Sequence, residues 1–288
     1  MKRKKITIWH VTHVAQNTEH IQESMRDWVR YVLEQIEMLN IPMENVANFD
    51  EMNLDFSVEG RSMLNMKGEK TVKGKAGQSS NRATAFIGVT RTGECLMPYI
   101  ICKGTDKSTG HVHREFSNVN FSYPGEMKYA TQPHAWMDET HMLDWVERVW
   151  KPWAATKQGM TYLLMDKFSA HMTDKVKMAI YACNTEIDFI PGGYTSKLQV
   201  MDVGLNKPFK GEYQQQFEEF MVTSVTGKPH RQDVAKWAWN AWQTIHTAMI
   251  LNTWRRVFAW GDEEPPVEQV ESNDEEDDNE IIFMDTAV

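Results

Sequence analysis

Apolar residues recur at three- and four-residue steps through the first part of the chain. Between residues 6 and 40, Met25, Trp28, Val29, Val32, Leu33, Ile36 and Leu39 fall on one stripe, which predicts a helix with a single buried face. Asn40-Ile-Pro42 stops it, because proline neither donates to the helical ladder nor fits beside the preceding turn. Val46–Phe49 is a short apolar run, read as a strand that ends in Asp50. Residues 61–82 are polar and rich in Gly and Lys. Ala83–Thr90 and Cys95–Cys102 follow as strand-like runs around Arg91-Thr-Gly-Glu94, a hairpin signal. Gly104 to Pro133 has no period and reads as a long loop with room for one short strand. Helical spacing returns over 136–150 through Trp136, Met142, Leu143, Val146 and Trp150. A strand is expected at Thr161–Met165, a helix at Asp174–Tyr181, a strand at Ile187–Ile190 and a turn at Pro191-Gly-Gly193. One helix then runs from beyond Asp202 towards Met221, and another carries Trp237, Ala241, Ile245 and Ala248–Leu251. This order predicts an α/β layered fold in which a hairpin precedes parallel strands.

Composition narrows the class. At 288 residues, 41% hydrophobic and 25% charged, the chain can bury a sizeable core as an ordinary globular protein. No run approaches the roughly 20 apolar residues that span a bilayer, so no membrane partner is expected. The start, Met1-Lys-Arg-Lys-Lys-Ile-Thr-Ile-Trp, has a basic edge without an apolar core and is not read as a secretory signal. Lys2–Lys5 fit a short nuclear import signal and, with it, a location in the nucleus. The three cysteines form no Cys-x-x-Cys pair, which argues against a disulfide framework or zinc ribbon. The net charge of -9 conceals an asymmetry. Residues 262–288 hold twelve acidic residues and no Lys or Arg, whereas elsewhere 28 acidic side chains face 31 basic ones. The body is therefore mildly basic. Its acidic tail is read as disordered and solvated, or as a shield for a basic surface.

Three aspartates carry the candidate chemistry. Asp50 closes Val46–Phe49, Asp166 closes Thr161–Met165, and Asp202 follows Ser196-Lys-Leu-Gln-Val-Met201. A single aspartate after a strand is ordinarily a cap or turn residue. Three in separate local contexts point to a shared site. Parallel neighbouring strands stand about 4.8 Å apart, so Asp50 and Asp166 would crowd each other at the carboxyl edge where α/β sheets bind ligands. Like charges that close cannot both ionise unless a cation intervenes. Two Mg²⁺ or Mn²⁺ ions held by Asp50, Asp166 and Asp202 would permit in-line displacement at phosphorus.

These residues lie in stretches that resemble the catalytic domain of DDE-superfamily transposases, in the pogo and Tigger-like branch of the mariner group. Asn48-Phe-Asp-Glu51 is similar to that family's N-M-D-E, and Pro98-Tyr-Ile-Ile-Cys-Lys-Gly104 to its P-x-x-I-F-K-G. Met165-Asp-Lys-Phe-Ser-Ala-His171 resembles L-D-N-x-S-A-H. Thr195-Ser-Lys-Leu-Gln-Val-Met-Asp-Val203, with Asn206-Lys-Pro-Phe-Lys210, resembles T-S-x-L-Q-P-L-D-V … F-K. The resemblance covers about residues 25–258 and implies a ribonuclease-H-like fold, with Asp50, Asp166 and Asp202 as the metal-binding triad. It further implies that water hydrolyses a DNA phosphodiester and that the exposed 3′-hydroxyl attacks a second DNA. Two positions depart from the pattern, Lys167 where Asn is usual and Val200 where Pro is usual. Such relatives carry helix-turn-helix modules ahead of the catalytic domain, whereas Met1 stands in what resembles the connecting segment. A truncated copy or an isolated catalytic domain is expected, and a domesticated protein that binds nucleic acid without cutting is the alternative.

Further residues complete the expectation. His171 steadies the substrate or a carboxylate, or is a hydrogen-bonded structural residue. Glu51 is an auxiliary ligand only if it overcomes strand alternation, which aims it away from Asp50. Lys167 weakens metal binding or meets the scissile phosphate. Lys67, Lys70, Lys73, Lys75 and Arg82 can track a DNA backbone, although a solvated hairpin explains them equally well. The tryptophan-rich helix at 237–254 is read as core or homodimer packing. The expected organisation is a helical linker over 1–43, a catalytic domain over 44–225, a C-terminal helix packed on it over 226–261, and the acidic tail over 262–288.

Overall fold

The computed structural model describes residues 18–55, 82–105, 111–225 apart from 117 and 119, and 228–262. Helix α1 (Thr18–Met38) leads to a sheet of six strands. They are β1 (Val46–Asp55), β2 (Arg82–Thr90), β3 (Tyr99–Lys103), β4 (Lys128–Gln132), β5 (Thr161–Asp166) and β6 (Thr185–Ile190), in spatial order β4-β3-β2-β1-β5-β6. β1, β2 and β3 are antiparallel; β4 runs parallel to β3, β5 to β1 and β6 to β5. Short α2 (His111–Glu115) precedes β4. Next, α3 (Glu139–Trp145) passes through a π turn at Val146–Trp150 into α4 (Lys151–Ala154), and α5 (Asp174–Tyr181) joins β5 to β6. Last come α6 (Thr195–Leu198), α7 (Asn206–Thr223), α8 (Arg231–Gln243) and α9 (Thr247–Phe258). This is the helix-flanked mixed sheet of the ribonuclease-H-like class.

Strand alternation divides the core into two layers. On β1, Val46, Met52 and Leu54 join the layer formed with α1, α7, α8 and α9, which holds Val29, Phe209, Trp242 and Trp254. Ala47 and Phe49 join the opposite layer with Trp145 and Trp150, near Val176 and Ile180 of α5. Phe49 lies across Gly88, its partner on β2, where an added Cβ would meet the ring at 2.4 Å. Two of the buried tryptophans also use their indole N–H groups. Trp242 Nε1 donates to Leu96 O at 3.1 Å, and Trp254 Nε1 donates to Thr90 O at 2.9 Å. The tryptophans therefore fasten α8 and α9 to the hairpin as core residues.

The element boundaries have local causes, and several differ from the sequence reading. The α1 stop is a left-handed Asn40 (φ 52°), with Ile41 N–H donating to Ile36 O and Asn40 N–H to Glu37 O, so the expected end at Asn40–Pro42 holds. The helix expected from 136 starts at Glu139, because the Asp138 carboxylate accepts the His141 N–H at 3.0 Å and caps it. The hairpin's second strand starts at Tyr99 rather than Cys95. Cys95 keeps one isolated bridge to Val89, and Pro98 has no N–H to give. The single helix expected at 237–254 is two helices. Thr244 Oγ1 donates to Ala241 O at 2.8 Å at the break, diverting the helical ladder.

Asp50 requires the main correction. It does not end its strand. β1 runs on to Asp55 because its antiparallel pairing with β2 continues to Asp55↔Arg82, whereas its parallel pairing with β5 stops at Asn48↔Leu164. Asp50 sits where the β1–β5 seam opens.

Candidate active site

Two buried amides set the backbone of the site. Asn48 and Gln199 are fully buried, and Asn48 Nδ2 donates to Gln199 Oε1 at 2.6 Å and to Leu164 O at 3.0 Å. Gln199 Nε2 donates to Phe49 O at 2.9 Å, and Met201 N–H donates to Asn48 Oδ1 at 3.3 Å. Three of these four bonds end one or two residues from an acidic side chain: Phe49 from Asp50, Leu164 from Asp166, Met201 from Asp202. Buried amides are tolerated only when their donors and acceptors are satisfied, so this network fixes β1, β5 and the chain entering α7 in one register. Sequence reasoning assigned no role to Asn48 or Gln199. Their signal was a polar residue embedded in an apolar run.

Alternation sends the acids to different partners. Asp50 faces the α7 layer, where Asn206 Nδ2 donates to Asp50 Oδ2 at 3.4 Å and to Asp202 Oδ1 at 2.8 Å. Glu51 faces the other layer, as expected, yet it meets the site through His171. His171 Nε2 lies 3.0 Å from Glu51 Oε1, and Nδ1 lies 2.9 Å from Asp166 Oδ1. Potential ligand atoms of Glu51, Asp166 and His171 all lie within 4.8 Å of one another. Among the described residues, the candidate ligand group gathered most tightly is therefore Glu, Asp and His rather than three aspartates. Strand geometry alone could not show that the carboxylate of Asp166 turns towards an imidazole.

The electrostatics follow from this crowding. Burial, then the carboxylates of Asp202 and Glu51, with a smaller push from Asp166, drive Asp50 up to about 7, against the opposing hydrogen bond from Gln199. His171 is 0% exposed; burial opposes its protonation, but its hydrogen bonds to Asp166 and Glu51 prevail and push it up to about 10. The imidazolium is thus an internal cation between two carboxylates. An acid that resists ionisation beside three others, all offering hard oxygen atoms, is a donor set suited to a divalent cation.

A cleft of about 800 Å³ opens over Asp50, Glu51 and Asp166, with Trp136, Asp138 and Phe168 in its walls. Arg82 stands near its rim, with its guanidinium 4.9 Å from the Trp136 ring and Nε donating to His134 O. Lys167 is exposed and enters no ion pair with the described carboxylates. Lys67, Lys70, Lys73 and Lys75 lie outside the described residues, as do Lys2–Lys5 and the acidic stretch beyond Asp262.

The chain is similar to known proteins in both sequence and fold. A family model described as "DDE superfamily endonuclease" matches residues 80–254. The human "Pogo transposable element with KRAB domain" is 30% identical over 301 residues, covering 100% of this chain and 46% of that protein. Its mouse counterpart is 30% identical over 267 residues, covering 89% and 42%. The chain thus spans less than half the length of these curated relatives. The crystal structure of the Mos1 strand transfer complex superposes with a TM-score of 0.53 at 11% identity, covering 90% of this chain and 64% of that one, which shows a shared fold. No helix among the described residues is long and apolar enough to cross a membrane.

Proposed function

The chain belongs to the DDE superfamily of endonucleases, in its pogo group, and on that footing we propose that it cleaves DNA phosphodiesters with Mg²⁺ or Mn²⁺. The observation that carries this reading is the half-buried Asp50, crowded by Asp202, Glu51 and Asp166, with the neutral amide of Asn206 between it and Asp202. Asp50, Asp166 and Asp202 are the proposed catalytic and metal-holding residues, with Glu51 and His171 as their partners. When bound, the divalent cation supplies Lewis acidity for the attack of water on phosphorus and for the departing 3′-oxygen.

The chain's own residues supply the positioning. Asn48 and Gln199 hold the three aspartate-bearing segments in register. His171 keeps both ring nitrogens protonated and holds the Asp166 carboxylate in place without itself taking part in bond breaking. Two divalent cations added to four carboxylates and one imidazolium leave one positive charge, which a phosphodiester cancels; this charge balance favours a pair of ions. Hydrolysis forms a new oxygen–phosphorus bond from water, breaks the bond to the 3′-oxygen, and frees a 3′-hydroxyl that attacks a second DNA in strand transfer. We take the catalytic body to be 44–225, with 226–261 as its C-terminal helical addition. DNA is the proposed partner, a second copy of the chain is the expected companion for joining two ends, and the nucleus is the corresponding location.

A plasmid-nicking assay with Mn²⁺ tests the reading. Wild type is expected to convert supercoiled plasmid to open circles, and Asp166→Ala to lose this by at least about 10²-fold, the scale of removing one essential group. Equal nicking by both proteins would leave only nucleic-acid binding without cutting.

A further inference from the structure

The side-chain oxygen of Asn206 is buried and accepts no hydrogen bond among the described residues, and the residue is 8% exposed. Its other end, Nδ2, directs its hydrogens at two carboxylates, Asp202 Oδ1 at 2.8 Å and Asp50 Oδ2 at 3.4 Å. An NH₂ group in that position substitutes for a cation and also blocks one, since its hydrogens would face the arriving positive charge. Meanwhile the unpaired oxygen carries a desolvation cost that no partner offsets. This arrangement therefore satisfies one half of the amide at the expense of the other.

We propose that Asn206 is a further oxygen ligand of the ion held by Asp50 and Asp202, delivered by a half-turn of its amide. Rotation about χ2 exchanges Nδ2 and Oδ1 while leaving the side-chain volume unchanged. Oδ1 then takes the place 2.8 Å from Asp202 Oδ1. Adjacent oxygens in an octahedral shell of about 2.0–2.1 Å bonds stand about 2.9 Å apart, so the two atoms suit neighbouring positions on one Mg²⁺. The local backbone favours the pairing. Asp202 lies in the π turn Met201–Leu205 and Asn206 is the first residue of α7, so a local widening of the helix presents both side chains to one point. The two-state amide would make the site neutral-donor-capped when empty and oxygen-lined when loaded.

This inference rests on the carboxylate-bound cation proposed above, and titration calorimetry with Mn²⁺ separates the two. Asp202→Asn sets the background from acidic residues elsewhere in the chain. Asn206→Leu, which keeps the volume but offers no oxygen, is expected to bind Mn²⁺ on the order of tenfold more weakly than wild type. Asn206→Asp retains an oxygen and loses the NH₂. It is expected to bind at least as tightly as wild type, with Mn²⁺ raising its melting temperature further. If Asn206→Asp loses affinity as Asn206→Leu does, the NH₂ matters and the oxygen does not, which overturns the proposal. Wild-type affinity in Asn206→Leu overturns it equally. Wild type indistinguishable from Asp202→Asn removes the cation reading itself. Circular dichroism establishes folding, and should the leucine variant not fold, the aspartate variant decides.

Discussion

Asn48 and Gln199 show how a few buried polar atoms govern this site. Each is enclosed by apolar neighbours and bonds to the other amide and to a backbone carbonyl one or two residues from an aspartate. Gln199→Met keeps the volume but leaves Asn48 Nδ2 and Phe49 O each short of a partner. Stability should fall by about 1–3 kcal/mol, read as a lower urea midpoint at unchanged slope. Nicking should fall with it, because the segment entering Asp202 loses the Gln199 ties to Asn48 and Phe49 of β1 and keeps the Met201 N–H bond to Asn48 Oδ1. An unchanged midpoint would show that the amide pair does not hold the register. His171 illustrates the same scale from the side of charge. The motif placed it five residues after Asp166, but only the fold revealed that it also meets Glu51, a residue 120 positions away.

At the level of elements, the π turn and α9 position Asp202 together. A Cβ on Gly204 would stand 2.4 Å from Thr253 Oγ1 and 3.1 Å from its Cγ2, so α9 approaches the turn as closely as a glycine permits. Gly204→Ala should cost about 1–3 kcal/mol, the scale of overpacking, despite alanine's better helical propensity. Thr253→Ala in the same background should recover part of that loss. The non-additivity, measured as a double-mutant cycle in urea, reports the contact directly. Additive effects would mean that the turn and α9 yield independently. The elements themselves were largely legible from sequence, since α5 was bounded correctly by its periodicity and β5 to within one residue. β1 was cut short at Asp50 because alternation on a strand paired with β2 continues through polar residues, Glu51 and Asn53, that a hydrophobic run does not register.

For the molecule as a whole, the charge distribution sets the expected mode of binding. Outside residues 262–288, the basic side chains outnumber the acidic ones only slightly, 31 against 28. Binding to DNA should therefore be weak, indifferent to sequence and steeply reduced by salt, as counter-ion release requires. Fluorescence anisotropy on unrelated duplexes from 50 to 200 mM NaCl checks this, and tight binding to one duplex alone at the upper end would contradict it. The sequence by itself determined the family and the mixed sheet, and it singled out three aspartates as candidates, because strand and helix periods and local motifs are written in neighbouring residues. Only the tertiary structure decided how the acids are apportioned, Asp50 with Asp202 through Asn206 and Glu51 with Asp166 through His171. That outcome depends on where the β1–β5 pairing stops and on which layer each alternate side chain enters. Both are properties of strands brought together from distant parts of the chain.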